Sequence, residues 1–424
     1  MRRGTIPYLL TALAAALALA LVPPPASAAT SGRHHGTGRQ GWTGTWEAAA
    51  SATTTQLPGQ SVRNVVHTSV GGRAARIRVS NRLGTTPLEL GAVTVAVQKA
   101  DAPKSPAAVA GTVRRVTFGG AASAEVPAGE DAVSDPVPLR VPSDANLLVT
   151  LYTPHDSGPA TYHRSALQTS FIAPDGDRTA DDDGTAYSAT TSSWYYLTGV
   201  DVLGAPAVGS VVALGDSITD GSGSTASANH RWPDRLAARL RALPPRERLG
   251  VLNAGIAGNR VLLDGTGPSA LSRLDADVLS RSGVRAVIVM EGINDIKGNP
   301  NQTDPAAFAA AYRQIVAHAH ARGIRVVGGT ITPYGGNGGW TAAREAVRQS
   351  VNDLVRHGGI FDAVADFDAT VRDPDAPDRI LPAYDSGDHL HFDDAGLQAM
   401  ADGIDLHSLT AERPRPTGGP ADAA

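Results

Sequence analysis

Two short segments, far apart in the chain, carry the side chains best suited to chemistry. Ser217 ends the sequence Gly215-Asp216-Ser217, which directly follows an apolar run that predicts a buried strand. A serine hydroxyl is a weak nucleophile unless a neighbouring base takes its proton. Asp388 and His391 stand three residues apart and offer such a base, together with a carboxylate to orient its ring. The chemistry that this combination allows is acyl transfer through a covalent serine intermediate.

Each of these segments also has a simpler interpretation. A Gly-Asp-Ser turn is common in loops, and an Asp-x-x-His segment can be a capping carboxylate beside a surface histidine. His389 is a second candidate base, but it directly follows Asp388 and its side chain would project differently, so His391 is preferred. The serine segment is not a G-x-S-x-G nucleophile elbow, because Thr219 stands where the second glycine would be.

Acyl transfer also requires hydrogen-bond donors for the negative charge that develops on the carbonyl oxygen. Two later segments, Asn253–Asn259 and Gly292–Asp295, each follow an apolar run. Glycines in the first let the backbone approach a ligand closely, and Asn294 in the second provides a side-chain amide. Taken singly, both are ordinary turns. All of the candidates, however, fall at carboxyl ends of predicted strands or just before the last predicted helix, where open α/β sheets bind ligands.

The elements before residue 205 follow a period-two pattern. Apolar and polar residues alternate from residue 42 to residue 204, and Gly, Pro, Asn and Asp punctuate the runs. This pattern predicts an antiparallel β-sandwich or jelly-roll domain over residues 42–204. The predicted strands are 61–70, 74–80, 88–97, 113–118, 137–141, 146–152, 167–172 and 194–202.

From residue 205 onward, apolar runs alternate with helical patterns. This alternation predicts an α/β domain over residues 205–410, with a parallel sheet buried on both faces. The strands are predicted at 208–214, 249–253, 284–290, 325–331 and 361–367. The helices are predicted at 231–243, 269–281, 305–322, 341–356 and 394–409.

The two ends of the chain belong to neither predicted domain. Residues 1–28 have the layout of a secretory signal peptide: two arginines, an apolar run over 8–22 and a small-residue cleavage site. The apolar run is shorter than the roughly 18 residues that a membrane span needs, which favours export and an extracellular location over stable membrane insertion. Residues 29–41 are predicted to be a mobile leader, and 411–424 a disordered tail.

Composition excludes several classes of protein. The chain of 424 residues has no cysteine, which rules out disulfides, thiolate metal sites and cysteine nucleophiles. Its net charge is −4 and its 37 basic residues are spread thinly, which argues against nucleic acid as a partner. The acidic segment 175–184 lacks the ligand spacing of an EF-hand and indicates a solvated loop more than a calcium site.

On these residues the chain resembles the SGNH (GDSL) hydrolase superfamily, whose four blocks carry Ser, Gly, Asn and His. The blocks are matched here by Gly215-Asp216-Ser217, by Gly258 within 255–259, by Asn294 within 292–295, and by Asp388 with His391. The match runs in the family's order over about residues 208–409, with Phe392 where the family usually has proline. The resemblance implies a flavodoxin-like three-layer α/β/α fold and ester hydrolysis through an acyl-enzyme, with no metal or cofactor.

The resemblance also implies which groups form the oxyanion hole: the backbone N–H groups of Ser217 and Gly258, and the side-chain amide of Asn294. More narrowly, residues 253–264 and 291–296 are similar to a bacterial branch that includes xylan-associated esterases and often carries an all-β N-terminal domain. The expected function is therefore that of a secreted serine esterase, acting on acetylated polysaccharide or a small acyl ester. The alternatives are a lipid-directed lipase, an acyltransferase with the same triad, and a carbohydrate-binding module with a vestigial site. The sequence indicates no oligomeric state.

Overall fold

Alternating apolar residues and frequent turns build the first part of the chain into strands. The structure is a computed structural model that describes residues 41–100 and 104–411. The predicted signal peptide, the leader up to residue 40 and the tail from residue 412 lie outside the described residues. The strands before residue 205 are β1 (Trp42–Glu47), β2 (Ala52–Thr54), β3 (Gln60–His67), β4 (Ala74–Ser80), β5 (Leu88–Leu90), β6 (Ala92–Val97), β7 (Arg114–Arg115), β8 (Ala124–Val126), β9 (Asp131–Val133), β10 (Asn146–Thr153), β11 (Ala160–His163), β12 (Ser170–Ala173), β13 (Ala189–Thr191), β14 (Trp194–Tyr195) and β15 (Leu197–Leu203).

These strands pair antiparallel and form a sandwich. One sheet has the order β1-β15-β4-β9, and the other has the order β13-β12-β3-β10-β6-β7. Two smaller sheets, β14-β11-β2 and β5-β8, complete this β-rich part. Ile77 and Val200 of the first sheet share one buried cluster with Val95 and Val149 of the second, so the core lies between the sheets. The predicted all-β architecture is confirmed.

The predicted strand over 137–141 is wrong, and others differ in extent: 113–118 is a strand only at Arg114–Arg115, and 88–97 and 194–202 each divide into two strands. Residues 137–141 form no strand, and make only isolated bridges from Val137 to Ala75 and from Val141 to Gly72. The two bridges are out of register, because three residue steps separate Gly72 from Ala75 but four separate Val137 from Val141. One residue therefore bulges out between the bridges, and continuous pairing with the sheet is lost.

The second part of the chain forms a parallel sheet between two layers of helices. Its strands are β16 (Gly209–Gly215), β17 (Leu249–Gly255), β18 (Val284–Met290), β19 (Arg325–Gly329) and β20 (Ala363–Ala365). Their order is β17-β16-β18-β19-β20, and each neighbouring pair is parallel. In chain order this is 2-1-3-4-5, the order of flavodoxin-like sheets. The predicted flavodoxin-like α/β fold is confirmed.

Eight α-helices accompany this sheet in the described part of the chain. They are α1 (Ser217–Asp220), α2 (Trp232–Arg241), α3 (Ile293–Lys297), α4 (Pro305–Ala321), α5 (Ala342–His357), α6 (Phe367–Val371), α7 (Asp394–Asp402) and α8 (His407–Thr410). A short 3₁₀ turn covers Pro245–Glu247 and one π-helical turn covers Asp275–Leu279. Adjacent residues of β16 point to opposite faces: Val212 joins the cluster that contains α4 and α5, and Val211 joins the one that contains α2 and α7. Two buried cores therefore hold the three layers together.

Two predicted helices differ in extent. The prediction over 394–409 is wrong in length, because Gly403 ends α7 and α8 begins only at residue 407. The prediction over 269–281 is also wrong in length, since only Asp275–Leu279 is a regular helical turn. Its buried positions include Arg273 and Asp277, whose side chains bind polar groups instead of adding to an apolar face. None of the helices in the described residues is long and apolar enough to cross a membrane.

The β-rich part packs directly against the parallel sheet. The Gly44 N–H of β1 donates to the Ser282 carbonyl (3.0 Å), and the Ser210 hydroxyl donates to the Gly44 carbonyl (3.1 Å). A Cβ on Gly250 would lie 2.2 Å from the Gly44 oxygen, so β17 requires glycine at this crossing. The predicted boundary at residues 204–205 falls between β15 and β16, and the two parts make close contacts on either side of it.

Candidate active site

Ser217 lies where β16 ends and α1 begins. Every residue of β16 is buried, so the strand delivers this serine to the carboxyl edge of the sheet. Asp216 caps the helix, because its Oδ1 accepts the Ile218 N–H at 3.0 Å. Gly221 ends the helix in the left-handed conformation, with φ 108°. The single turn of α1 thus fixes the Ser217 backbone between a cap and a sharp reversal.

The loop before α7 places His391 and Asp388 beside this serine. His391 Nε2 lies 2.8 Å from Ser217 Oγ, and His391 Nδ1 lies 2.5 Å from Asp388 Oδ2. The other carboxylate oxygen of Asp388 accepts the N–H groups of Leu390 and His391. The structure therefore brings together the three side chains that the sequence selected as nucleophile, base and orienting group.

The ionisation of Asp388 determines which nitrogen of His391 carries the proton. Partial burial opposes the charge on Asp388, but the His391 N–H, the His391 ring and the Leu390 N–H outweigh it and lower the pKa to about 2. A carboxylate can only accept a hydrogen bond, so Nδ1 of His391 must donate. Nε2 is then left as an acceptor for the Ser217 hydroxyl. This is the arrangement that a general base requires.

His389, the alternative base, is held away from Ser217. Its Nδ1 lies 2.6 Å from Asp385 Oδ2, and its backbone has φ 60°, in the left-handed region. The Asp385 Oδ1 accepts the His389 N–H at 3.0 Å and supports this unusual conformation. Phe392, which replaces the proline expected from the resemblance, is fully buried and packs with α2 and α7. The loop thus presents His391 alone to the serine.

The predicted oxyanion donors follow the two strands adjacent to β16. Gly258 lies in the turn after β17 with φ 83°, a conformation that favours glycine. Asn294 lies in the first turn of α3, after β18, and its Nδ2 donates to the Asn259 carbonyl at 2.9 Å. The same amide lies 3.4 Å from Asp216 Oδ2. Asn294 therefore contacts Asn259, which follows Gly258, and Asp216, which precedes Ser217. The Asn294 amide and the backbone N–H groups of Gly258 and Ser217 thus lie in the same small region.

Sequence reasoning missed Arg273, which fixes the ends of two strands. Its side chain is 2% exposed and donates to the Gly215 carbonyl at 3.0 Å and to the Ala254 carbonyl at 2.6 Å. It also donates to Asn259 Oδ1 at 3.1 Å and pairs with Asp277 at 3.1 Å. One guanidinium thus ties the strand before Ser217 to the strand before Gly258. An arginine within a segment of helical pattern gave no signal that would distinguish it from a surface residue.

Buried carboxyl groups lie behind the serine. Burial raises the pKa of Asp216 to about 6, against the opposing effect of the Ile218 N–H and of the His391 charge. Burial and the nearby charge of Asp216 raise the pKa of Glu291 well above its usual range. Both shifts favour the neutral carboxyl groups. With a pKa of about 6, Asp216 is still mostly ionised at neutral pH, whereas Glu291 is the group more strongly biased toward its neutral form.

The acidic segment over residues 175–184 is tied up in local turns. Asp177 Oδ1 accepts both the N–H and the hydroxyl of Thr179, and Asp183 Oδ1 accepts the same two groups of Thr185. Across residues 41–100 and 104–411, no group of three or more His, Asp or Glu side chains has the arrangement of a metal site. The carboxylates of Asp177 and Asp183 are thus both engaged by threonines of neighbouring turns.

The comparison with protein families agrees with this geometry. Residues 213–399 match the model of the GDSL-like Lipase/Acylhydrolase family, and this segment contains all of the residues discussed above from Ser217 to His391. This segment, which contains most of the parallel sheet and its helices, is therefore similar to GDSL-like lipases and acylhydrolases. No curated protein matches the sequence significantly.

Several solved structures are similar to about half of the chain. The acetylxylan esterase Axe2 from Geobacillus stearothermophilus is 22% identical, with 49% of this chain and 99% of that chain covered and a TM-score of 0.37. LAE5, an α/β hydrolase from the metagenome of Lake Arreo, is 24% identical, with coverage of 49% and 98% and a TM-score of 0.36. A GDSL-like lipase from Bacteroides thetaiotaomicron is 19% identical, with coverage of 45% and 83% and a TM-score of 0.34.

Proposed function

We propose that the protein is a secreted serine esterase that hydrolyses short acyl esters, such as acetyl groups on carbohydrate, through an acyl-enzyme. The observation that carries this proposal is the chain of contacts from Ser217 Oγ to His391 Nε2 (2.8 Å) and from His391 Nδ1 to Asp388 (2.5 Å). The signal-like pattern over residues 1–28 supports an extracellular site of action.

The geometry supports a two-step mechanism. Ser217 Oγ attacks the ester carbonyl carbon while His391 Nε2 takes the hydroxyl proton, and Asp388 stabilises the imidazolium. The N–H groups of Ser217 and Gly258 and the amide of Asn294 donate to the resulting oxyanion. His391 then gives its proton to the departing alcohol, which leaves an acyl-serine. Water, deprotonated by the same histidine, releases the acid and restores the serine.

The surface near the site favours a small acyl group over a lipid chain. Lipid-directed sites require a contiguous exposed apolar patch. Among the large apolar side chains that are exposed in the described part of the chain, Leu263 alone belongs to a loop of the site. The resemblance of residues 253–264 and 291–296 to xylan-associated esterases supports carbohydrate as the alcohol portion of the substrate.

A substrate panel tests this assignment. We expect kcat/KM to be highest for p-nitrophenyl acetate and to fall steadily through the butyrate, octanoate and palmitate esters, and we expect acetate release from acetylated xylan. A preference for palmitate would instead support a lipase. Acyl transfer to added sugar in place of acid release would support an acyltransferase. Polysaccharide binding without reaction with a fluorophosphonate would support a vestigial site.

Removal of the Asn294 amide tests the oxyanion site separately. Asn294→Ala should lower kcat on the order of 100-fold with little change in KM, because the donor acts on charge that exists only in the transition state. Steady-state kinetics on p-nitrophenyl acetate measure this. Asn301→Ala is the matched control, since Asn301 is exposed and lies just after α3. A folded Asn294→Ala enzyme with wild-type kcat would show that this amide does not stabilise the oxyanion.

A further inference from the structure

A buried histidine from the β-rich part reaches the active-site end of the sheet. His163, the last residue of β11, is 3% exposed, and its Nε2 lies 3.0 Å from Oδ1 of Asp220. Asp220 is the last residue of the short helix that begins at Ser217, and it is also 3% exposed. This contact joins two residues that are 57 positions apart in the chain.

Asp220 connects the serine's helix to the turn that carries Gly258. Its second carboxylate oxygen accepts the Ala257 N–H at 3.0 Å. Ala257 directly precedes Gly258, so this hydrogen bond fixes the peptide next to the proposed oxyanion donor. The Asn253 amide adds a second link from β17 itself, because it donates to the Thr219 carbonyl at 2.8 Å. One carboxylate therefore sets how the Gly258 turn lies relative to the helix of Ser217.

His163 holds Asp220 with both of its ring nitrogens engaged as donors. Its Nδ1 faces the Ala49 carbonyl at 2.9 Å, and its Nε2 faces Asp220 and, at 3.3 Å, the Ser165 carbonyl. Carbonyl and carboxylate oxygens only accept hydrogen bonds, so both nitrogens must carry protons. Burial opposes this charged form, but the charge and hydrogen bond of Asp220 and the two carbonyls outweigh it, so the pKa of His163 is raised. The pair is an ion pair within the protein.

The surroundings leave the His163 ring little freedom. Its ring lies 5.4 Å from that of Trp194, and the Arg231 guanidinium lies over the same indole, 5.6 Å from its centre. Arg231 also donates to the Ala166 carbonyl, which ties the segment after His163 to the start of α2. Backbone carbonyls at Ala49 and Ser165 fix the ring in its plane. Asp220 is therefore held by a group that cannot easily rotate away.

We propose that His163 is a positioning residue for the oxyanion site, acting through Asp220 on the Ala257–Gly258 turn. The inference rests on the proposed esterase function, and it makes the β-rich part a component of the active site. Misplacing a catalytic group by about 1 Å can cost on the order of 100-fold in rate. Loss of the His163 contact leaves one Asp220 oxygen buried without its charged donor, and the turn that depends on this carboxylate loses its fixed position.

Two variants with a neutral amide at position 163, His163→Gln and His163→Asn, distinguish the loss of the Asp220 contact from the other effects of removing the imidazole. A glutamine amide reaches the place of the histidine Nε2 and retains a donor for Asp220. An asparagine amide reaches the place of Nδ1 and retains only the bond to the Ala49 carbonyl. We expect His163→Asn to lower kcat on the order of 10- to 100-fold with little change in KM, and His163→Gln to remain within about 3-fold of wild type.

The affinity of the enzyme for a boronic acid reports on the oxyanion site directly. A change in folding stability alone would not alter this affinity. The tetrahedral boronate carries its negative charge where the oxyanion forms, so its Ki should rise in His163→Asn by the same factor as kcat/KM falls. His67→Gln is the matched control: it also removes a histidine that pairs with a carboxylate in the β-rich part, 3.1 Å from Asp144. This control should keep the wild-type kcat and Ki.

The outcomes distinguish the two proposals. A wild-type protein that neither hydrolyses esters nor reacts with a fluorophosphonate would overturn the esterase assignment, and this inference with it. An active wild-type enzyme whose His163→Asn and His163→Gln variants have equal kcat and unchanged boronate Ki would overturn the positioning role alone. Equal losses in His163→Asn and His67→Gln would do the same, because they would point to general destabilisation of the β-rich part.

Discussion

Ser217→Ala should abolish ester hydrolysis while the protein stays folded. The Ser217 hydroxyl is the group that would form the acyl-enzyme, and no other hydroxyl in the described residues lies within hydrogen-bonding distance of His391. Loss of a serine nucleophile costs at least about 10⁴-fold in kcat, and any residual rate comes from binding and oxyanion stabilisation. Hydrolysis of p-nitrophenyl acetate and covalent labelling by a fluorophosphonate, followed by intact mass, measure the effect.

The fold should tolerate this change, because Ser217 is a small side chain and the hydrogen bond that is lost joins its oxygen to the His391 ring. Circular dichroism and thermal unfolding check this point. Ser224→Ala is the matched control, since Ser224 lies in the loop directly after the same helix. It should react with the probe at the wild-type rate. A Ser217→Ala protein that still hydrolyses the ester or acquires the probe mass would place the nucleophile elsewhere.

Asp388→Asn should be the second severe loss, on the order of 10⁴-fold in kcat. The asparagine has nearly the shape of the aspartate, but its amide can donate to His391 Nδ1 and thereby favours the ring with the proton on Nε2. Such a ring cannot accept the Ser217 proton, and the half-exposed carboxylate that would stabilise the imidazolium is lost. The kcat of the folded variant, compared with that of wild type on the same acetate ester, measures the effect.

The adjacent loop provides a matched control for this second variant. Asp385 pairs with His389 at 2.6 Å, so Asp385→Asn alters an equivalent histidine–carboxylate contact in the same loop. Because His389 does not contact Ser217, Asp385→Asn should keep kcat within about 10-fold of wild type, the range of a local loop adjustment. Equal losses in the two variants would mean that the loop conformation, and not the orientation of His391, limits the rate.

Part of the site could be predicted from sequence, because Ser217 and Asn294 each follow a recognisable strand. The apolar runs over 208–214 and 284–290 predict neighbouring parallel strands, and Ser217 and Asn294 follow them within a few residues. Carboxyl ends of parallel strands meet at one edge, so order along the chain translates into proximity in space. The same reasoning could not locate His163, because no sequence pattern indicates that β11 contacts α1.

Arg273 and the segment 137–141 show two further limits of pattern reasoning. A charged residue on an apparent helix is expected at the surface, but Arg273 is buried because the carbonyls of Gly215 and Ala254 and the carboxylate of Asp277 satisfy its donors. In 137–141 the apolar alternation is correct, but a one-residue register shift between the bridges at Val137 and Val141 interrupts the pairing. In both cases the hydrogen bonds of the backbone, which side-chain hydropathy does not reveal, decide the structure.

The crossing of β1 and β17 at Gly44 and Gly250 has an evolutionary consequence. Accessory modules that are tethered by linkers can be exchanged, duplicated or lost while the enzyme to which they are joined keeps its shape. Here the two parts of the chain are packed backbone against backbone. A Cβ added at Gly250 would lie only 2.2 Å from the Gly44 carbonyl oxygen, so the β-rich part is not joined in the manner of such a module. A change at Gly250 is therefore constrained by the fit between the two parts of the chain and not by the chemistry at Ser217.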